Sequence, residues 1–287
     1  MRYRIFFSVF ICALFFFTNL YAQQEVPIEP ALMEVHYKHT MRIDTIINKF
    51  KDPDSMVLRI GKTSSQFFSR YTFFFDSIWN DPKGRAKAEE MTLRAFETKD
   101  YSILPRIGTT YDYIYKNHPG GKITTTNGIF RKFSISYTED YPHQDWEITD
   151  STKNILNIEC TKAICNFRGR EWTAWFAKSI EIKDGPWKLG GLPGLILEAY
   201  DKNGDYVYQA TTVKKDNIMP IAFYNFRKEN FIDTKREYFL KSMYEYLSGE
   251  NVDKIEIIRK TLDETNRSKI QKTRKRLLYD FIERDYK

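Results

Sequence analysis

Thiols and imidazoles are the side chains in this sequence with the greatest capacity for chemistry. After the first 22 residues they are Cys160, Cys165, His36, His39, His118 and His143. A thiolate beside an imidazole is an activated nucleophile, and a few such groups held together bind zinc or copper. No local motif pairs a cysteine with a histidine here. An enzyme or metal-handling protein that uses these residues is therefore the alternative interpretation, not the main one.

The spacing of two histidines also argues against a metal site. His36 and His39 lie three residues apart, which puts them on one face of a helix but on opposite faces of a strand. The β-favouring residues of Met33–Tyr37 predict a strand at this point. We therefore expect ordinary surface histidines, no metal and no cofactor.

A second set of candidates would bind a ligand rather than react with it. These residues are Arg168, Arg170, Trp172, Trp175 and Trp187. An arginine can hold a carboxylate or phosphate through two parallel hydrogen bonds, and indole rings can form the wall of an apolar site. The same residues also fit a packed sheet with charged edges, in which Glu171 and Lys188 would be edge charges as well.

The glycines near residue 190 predict a turn rather than a phosphate loop. In Leu192-Pro193-Gly194-Leu195, proline fixes the second position and glycine accepts a positive φ at the third, as a type II turn requires. Gly191, just before it, allows close backbone approach. The Lys-Ser/Thr ending of a phosphate loop is missing, and a strand follows where such a loop needs a helix.

Residues 191–196, with the sequence Gly-Leu-Pro-Gly-Leu-Ile, resemble the GLPGLI family of bacterial envelope proteins. The resemblance extends over about forty residues of this chain. Its other positions are Cys160-Thr161-Lys162-Ala163, Phe167-Arg168-Gly169-Arg170, Trp172, Trp175 and Gly185-Pro186-Trp187. The family has no established molecular function, so the resemblance implies kinship and an envelope location but no reaction.

The first 22 residues predict a cleavable signal peptide. Arg2 and Arg4 precede an uncharged apolar run over residues 5–17, which is too short to span a bilayer as a helix. Asn19-Leu20-Tyr21-Ala22 then offers a cleavage site after Ala22. We expect a periplasmic or secreted protein that starts at Gln23 and has no transmembrane segment in its mature form.

Export would place Cys160 and Cys165 where disulfides persist, so a bond between them is the default expectation. Geometry sets a condition on that bond. Residues five apart on an uninterrupted strand lie about 16 Å from each other and point to opposite faces, which is beyond the reach of a disulfide. A turn or bulge between them is required; without one they are separate buried thiols or soft metal ligands.

The charge of the chain favours no particular partner. Loss of Arg2 and Arg4 with the signal peptide lowers the net charge from +7 to +5. The excess lies toward the C-terminus, with its densest part at Lys272, Arg274, Lys275 and Arg276. A solvated helix face explains this cluster, and an exported protein rarely meets nucleic acid, so we expect no nucleic-acid partner.

Hydrophobic patterns predict a mainly β (α+β) protein. Early strands are expected within 31–47 and 55–75, and a helix over 79–100. From residue 111 to about 215, turn signals separate short β stretches in an antiparallel meander. Its clearest hairpin joins 195–200 to 205–212 through a primed turn at Asn203-Gly204.

The C-terminal part of the sequence predicts helices packed on the sheet. A capping box at Thr234-Lys235-Arg236-Glu237 begins one helix that Gly249 ends. A second, more charged helix is predicted over 265–284. The expected architecture is a curved antiparallel β-sheet meander backed by a few helices: residues 1–22 are the signal peptide, and 23–287 form one β-rich domain with a helical region over 231–287.

The function that these features predict is binding. Aromatic residues on a curved sheet suit a periplasmic binding or carrier protein for an apolar or amphipathic small ligand, with another envelope protein as the other expected kind of partner. Such a protein needs no catalytic motif, and the sequence identifies no catalytic residue.

Overall fold

Burial alternates from residue to residue along the strands, so that one face of the sheet lies on the core. The computed structural model describes residues 25–44, 49–50, 52–128, 134–226, 231–248 and 281–285. In the strand Arg170–Ala177, Trp172, Ala174 and Phe176 are fully buried, whereas Thr173 and Trp175 on the other face are only partly buried. This period-two pattern is typical of a strand with one face on the core.

Strands dominate the described residues. In chain order they are β1 (Glu25–Glu29), β2 (Met33–Asp44), β3 (Lys49–Phe50), β4 (Asp54–Ile60), β5 (Ser65–Ser69), β6 (Asp112–Lys116), β7 (Lys122–Asn127), β8 (Ser134–Asp140), β9 (Glu147–Ile155), β10 (Ile158–Phe167), β11 (Arg170–Ala177), β12 (Leu195–Asp201), β13 (Tyr206–Lys214), β14 (Ile221–Tyr224) and β15 (Phe231–Asp233). The helices are α1 (Arg70–Asn80), α2 (Pro82–Thr98) and α3 (Arg236–Ser248), with a short 3-10 helix at Tyr101–Ile103.

Most strands belong to one large sheet, so the predicted mainly β fold with an antiparallel meander is confirmed. The order across the sheet is β15-β8-β7-β6-β5-β4-β2-β13-β12-β11-β10-β9, with β3 paired to β2. The pairs are antiparallel except for β15 with β8. Strands β1 and β14 form a separate antiparallel pair. Strand β2 therefore joins an N-terminal run of hairpins to the run that contains residues 158–214.

The main core gathers side chains from both halves of the large sheet. It includes Val35, Leu58, Ile114, Trp172 and Leu197, each at most 2% exposed. Burial of a large apolar side chain stabilises the fold by about 1.5–3 kcal/mol. The two runs of hairpins are thus held together by one apolar cluster.

Helices α1 and α3 lie against the sheet at separate places. Helix α1 packs on β4 and β5, α2 packs on α1, and α3 packs on β8. The prediction of a helix over 79–100 is confirmed by α2, and that of a helix after residue 234 by α3. No helix in the described ranges is both long and apolar enough to cross a membrane.

Three sequence predictions about elements need correction. Residues 70–75 are helical, not extended, because the Ser69 side chain accepts the Thr72 N–H at 3.1 Å and caps α1. The β12–β13 hairpin is confirmed, but its turn is not primed: of Asn203 and Gly204, only Gly204 has a positive φ, and its N–H donates to the Asp201 carbonyl. Residues 281–284 are not helical. The remainder of the helix predicted over 265–284, like the signal peptide, lies outside the described residues.

Candidate functional site

The long connection between β11 and β12, residues 178–194, carries the glycine-rich sequence and is held from three sides. Lys116 donates to the carboxylate of Asp184 and, at 2.6 Å, to the carbonyl of Gly185. Gln144 donates to the Lys188 carbonyl at 2.8 Å, and the Trp146 indole donates to the Gly190 carbonyl at 2.8 Å. Side chains therefore satisfy the buried backbone of this connection, as a loop inside a core requires.

The turn at Gly191, Pro193 and Gly194 starts β12, but the predicted type II geometry is wrong. The Gly194 N–H donates to the Leu192 carbonyl at 2.8 Å, two residues back, whereas the Leu195 N–H donates to Ile180. Gly191 has φ +84° and Gly194 has φ +155°. A Cβ at Gly194 would lie 2.3 Å from the carbonyl oxygen of Ala177. Close packing of the turn on the end of β11 explains this glycine.

A buried cluster of charges lies beside the connection. Lys188, 1% exposed, donates to Glu283 at 2.6 Å, Glu139 at 2.5 Å and Tyr137 at 3.0 Å. Burial alone would lower the pKa of Lys188, but the charges of Glu283 and Glu139 raise it above its ordinary value. The ammonium group is thus held charged, and the expectation that Lys188 is an edge charge is wrong.

The two candidate arginines belong to the same buried region. Arg168 pairs with Glu139, and with Asp285 at 3.0 Å. Arg170 is 3% exposed and pairs with Asp201 at 2.7 Å. Its guanidinium also donates to the carbonyl groups of residues 281 and 282, at 2.6 and 3.0 Å. Both arginines therefore hold the segment 281–285 against the β10–β11 turn, and most of their donors already bind protein acceptors.

The three candidate tryptophans do not line one surface. Trp172 and Trp187 pack on each other in the core, with ring centroids 5.6 Å apart, and both are at most 4% exposed. Trp175 lies on the opposite face of β11, where the Lys153 ammonium stands 4.4 Å from its ring. The alternation along β11 separates the rings in this way.

The expected disulfide between Cys160 and Cys165 is wrong, because both are free and buried. Both cysteines lie on strand β10, and a register shift against β9 between Thr161 and Ala163 turns the two side chains toward the same core. A bulge corrects the facing but not the separation along the strand. Burial raises the pKa of Cys160 to about 11 and that of Cys165 to about 12, so neither is an activated thiolate.

The histidines of β2 point to opposite faces, as their spacing predicts. The His36 imidazole lies 2.7 Å from a carboxylate oxygen of Glu34. His39 is 1% exposed and stacks on Tyr208, with ring centroids 4.2 Å apart, so the expectation of a surface histidine is wrong at this position. Among the residues that the structure describes, no three His, Cys, Asp or Glu side chains are grouped to hold a metal ion.

A cleft of about 430 Å³ opens at the start of the connection. One wall is the β4–β5 turn with the end of β6, and the other is formed by Tyr141 and residues 181–184. The lining residues are Ile60, Gly61, Lys62, Thr63, Ser64, Ser65, Lys116, Asn117, Tyr141, Glu181, Ile182, Lys183 and Asp184. Isoleucine and tyrosine thus stand beside hydroxyl, amide and charged groups.

Internal hydrogen bonds fix the shape of the first wall. The Glu29 carboxylate accepts from the backbone N–H groups of Thr63 and Ser64, at 3.2 and 2.5 Å, and from both hydroxyls. Burial would raise the pKa of Glu29, but these hydrogen bonds hold it below its ordinary value. Asn117 donates to the Thr63 carbonyl at 2.6 Å. This wall is therefore preorganised.

One lining group has no partner within the described protein. The Ser65 hydroxyl is buried and makes no hydrogen bond. A buried hydroxyl without a partner is unfavourable. Sequence reasoning missed this cleft because its lining comes from four separate stretches of the chain, residues 60–65, 116–117, 141 and 181–184. The local signal was only the turn-forming run Gly61-Lys62-Thr63-Ser64.

The fold and cleft define a mainly β, mostly antiparallel protein with a preorganised polar cleft. Residues 118–235 match a family described as the N-glycanase peptide, N-terminal domain. Two solved structures of PNGF-II, in different space groups, are similar over 76% and 73% of this chain, at 14% and 15% identity and TM-scores of 0.47 and 0.46. The chain spans about a third of each of them, 33% and 32%. No curated protein matches the sequence.

Proposed function

We propose that the protein is an exported binding protein whose cleft between the β4–β5 turn and residues 181–184 holds an amphipathic small ligand. The observation that carries this proposal is the mixed lining of a preorganised cleft, with Ile60, Ile182 and Tyr141 next to polar groups and an unpartnered Ser65 hydroxyl. Most natural ligand sites combine apolar walls with a few placed polar groups. Burial of Trp172 and Trp187 removes the support for a purely apolar ligand.

A saccharide is the ligand class that we propose. A sugar ring has an apolar face that packs on aromatic rings such as Tyr141, and hydroxyls that suit the hydroxyl and amide groups around it. The similarity of residues 118–235 to an N-glycanase N-terminal domain supports this choice. That match begins after Asn117, so it includes the Tyr141 wall and leaves out the wall at residues 61–65.

We also propose that the protein belongs to the GLPGLI family and works in the periplasm or outside the cell. The support for both is in the sequence: the glycine-proline motif at 191–196 and the apolar N-terminal run after Arg2 and Arg4. Intact-mass measurement of protein from envelope fractions tests the second point. A mass that begins at Gln23 supports export, and a mass that retains Arg2 and Arg4 contradicts it.

The binding proposal is tested by calorimetric titration of the purified protein with oligosaccharides released from N-glycoproteins. We expect saturable binding that Tyr141→Ala weakens at least about tenfold, since stacking and orientation are lost. The matched control is Tyr101→Ala, which removes a tyrosine that is 56% exposed and does not line the cleft.

Native mass spectrometry of the protein from its own envelope adds an unbiased readout. A retained sugar of defined mass supports the saccharide. A retained fatty acid, or equal binding by both tyrosine variants, contradicts the proposed site.

A further inference from the structure

Helix α2 exposes apolar side chains on the face that points away from the rest of the protein. Among the described residues, ten large hydrophobic side chains are exposed, and half of them lie between residues 74 and 107. Leu93 and Phe96 in α2 are 65% and 63% exposed. Helix α2 uses Ala88 and Ala95 as its buried contacts. Surface helices normally keep large apolar residues on the packed face and place polar ones outside, so this arrangement is the reverse of the expected one.

The exposed apolar residues are adjacent to each other. Leu93 and Phe96 are three positions apart, and Ala86 is two turns before Leu93, so the three share one face. Phe96 also packs edge-to-face on Tyr101, with centroids 5.9 Å apart. The exposed Glu89, one turn before Leu93, lies among them. We name this face, formed by Ala86, Leu93, Phe96 and Tyr101 around Glu89, the α2 face. A grouped apolar surface of this kind marks an interaction site more often than scattered exposed residues do.

The charges around the α2 face are divided by sign along the helix. The first seven residues carry Lys83, Arg85 and Lys87 and no acid. The following ten carry Glu89, Glu90 and Glu97 and one base, Arg94. All seven side chains are exposed. Basic residues near a helix N-terminus and acidic ones toward its C-terminus interact unfavourably with the helix dipole. This order of charges therefore lowers the stability of α2 in a single copy of the chain.

We propose that the α2 face is a homodimer interface in which the α2 helices of two copies of this chain pack antiparallel. An antiparallel pair places the basic start of each helix against the acidic end of the other, and it does so twice because a two-fold interface is self-complementary. The pair also places the positive N-terminal end of each helix dipole beside the negative C-terminal end of the other. Leu93 and Phe96 are then buried in the interface. This arrangement explains both the exposed apolar residues and the division of charge.

Charge reversal with rescue tests the proposal. In one variant, Lys83→Glu and Arg85→Glu make α2 mainly acidic; in the other, Glu90→Lys and Glu97→Lys make it basic. We expect sedimentation equilibrium to show a dimer for the native chain and a dimer dissociation constant raised at least about tenfold in each variant, because like charges then oppose each other. An equimolar mixture of the two variants should restore the dimer as a heterodimer.

Two further variants complete the experiment. Leu93→Glu should give a monomer with an unchanged melting temperature at low concentration, since the residue is exposed in the single chain. Lys202→Glu, at a site 70% exposed and distant in sequence, is the control and should dimerise normally. A native chain that is monomeric at every concentration overturns the proposal, as does a dimer that Leu93→Glu leaves intact. Binding of anionic phospholipid vesicles without self-association would assign the α2 face to a membrane and would also overturn it.

Discussion

Buried charge is the main feature at the scale of single residues. Lys188 and Arg170 are each at most 3% exposed, and acceptors from distant parts of the chain surround them. A charge removed from water costs several kcal/mol unless its partners are complete. These residues therefore maintain one arrangement of the strands around them, and they are unavailable to a ligand.

Substitution of Lys188 tests this interpretation. Lys188→Ala should lower the free energy of unfolding by about 3–5 kcal/mol, because the buried acids Glu139 and Glu283 would lose one of the cations that they share. Urea unfolding followed by circular dichroism measures the loss. The matched control is Lys202→Ala, which removes a surface ion pair with Glu171 and should change stability by less than about 0.5 kcal/mol. Equal, small effects of the two variants would show that the cluster is solvated.

The sequence could not predict this burial. In a β-rich segment, cations such as Lys188, Arg168 and Arg170 are typical of sheet edges. Their acceptors, Glu139, Asp201 and Glu283, lie 49, 31 and 95 residues away along the chain from the cations that they bind. A buried cation needs an acidic partner, but only the folded topology determines which acid lies next to it.

At the scale of elements, local signals were reliable where the chain reverses over a few residues. Turn residues predict the β12–β13 hairpin, and capping residues with the helical spacing of apolar residues predict helices α2 and α3. Helix α1 was missed because its aromatic residues Tyr71, Phe73, Phe74 and Phe75 also favour strands. The helix begins at its cap, Ser69, whose hydroxyl accepts the Thr72 N–H. The same hydroxyl donates to the carboxylate of Asp54 on the neighbouring strand, at 2.9 Å, and this bond fixes its position.

The turn before β12 provides a prediction at the same scale. Gly194→Ala should destabilise the protein by about 3 kcal/mol, because the added Cβ would meet the Ala177 carbonyl and the φ of +155° is strained for an L residue. Thermal unfolding measures the effect. Gly120→Ala is the control, since its Cβ would have open space and should cost almost nothing. A native melting temperature for Gly194→Ala, with loss of ligand, would instead make the turn a functional loop.

At the scale of the whole molecule, the sequence predicted the fold class and an antiparallel meander but not the cleft. Strand periodicity is local, so the class could be derived from patterns. The cleft depends on the sheet order, which brings the β4–β5 turn and the end of β6 to the connection after β11. The sequence could not exclude Trp172 and Trp175 from a shared site for the same reason: composition places both on a strand, whereas topology decides which face of that strand is the core.

Carboxylates with lowered pKa values connect distant parts of this molecule, and they determine how it responds to acid. Burial would raise the pKa of Glu34, but hydrogen bonds from His36 and Arg59, with the charge of Arg59, hold it at about 2. Glu34 joins β2 to β4 through Arg59, at 2.8 Å. The pKa values of Glu283 and Asp285 are lowered by Lys188, Arg168 and Arg236, although burial opposes this.

Acidification should therefore destabilise the protein. A carboxyl group whose pKa is lower in the folded state binds fewer protons there, so its contribution is complete above its ordinary value of 4.5 and is lost as the pH falls toward 2. For Glu34 alone the loss is up to about 3 kcal/mol. Urea unfolding from pH 5 to pH 2 measures it, and Glu34→Gln, which cannot titrate, should lose that much less over the interval. Parallel curves for the two proteins would mean that Glu34 titrates normally when folded, and the ion pair with Arg59 would then contribute nothing to the joining of β2 and β4.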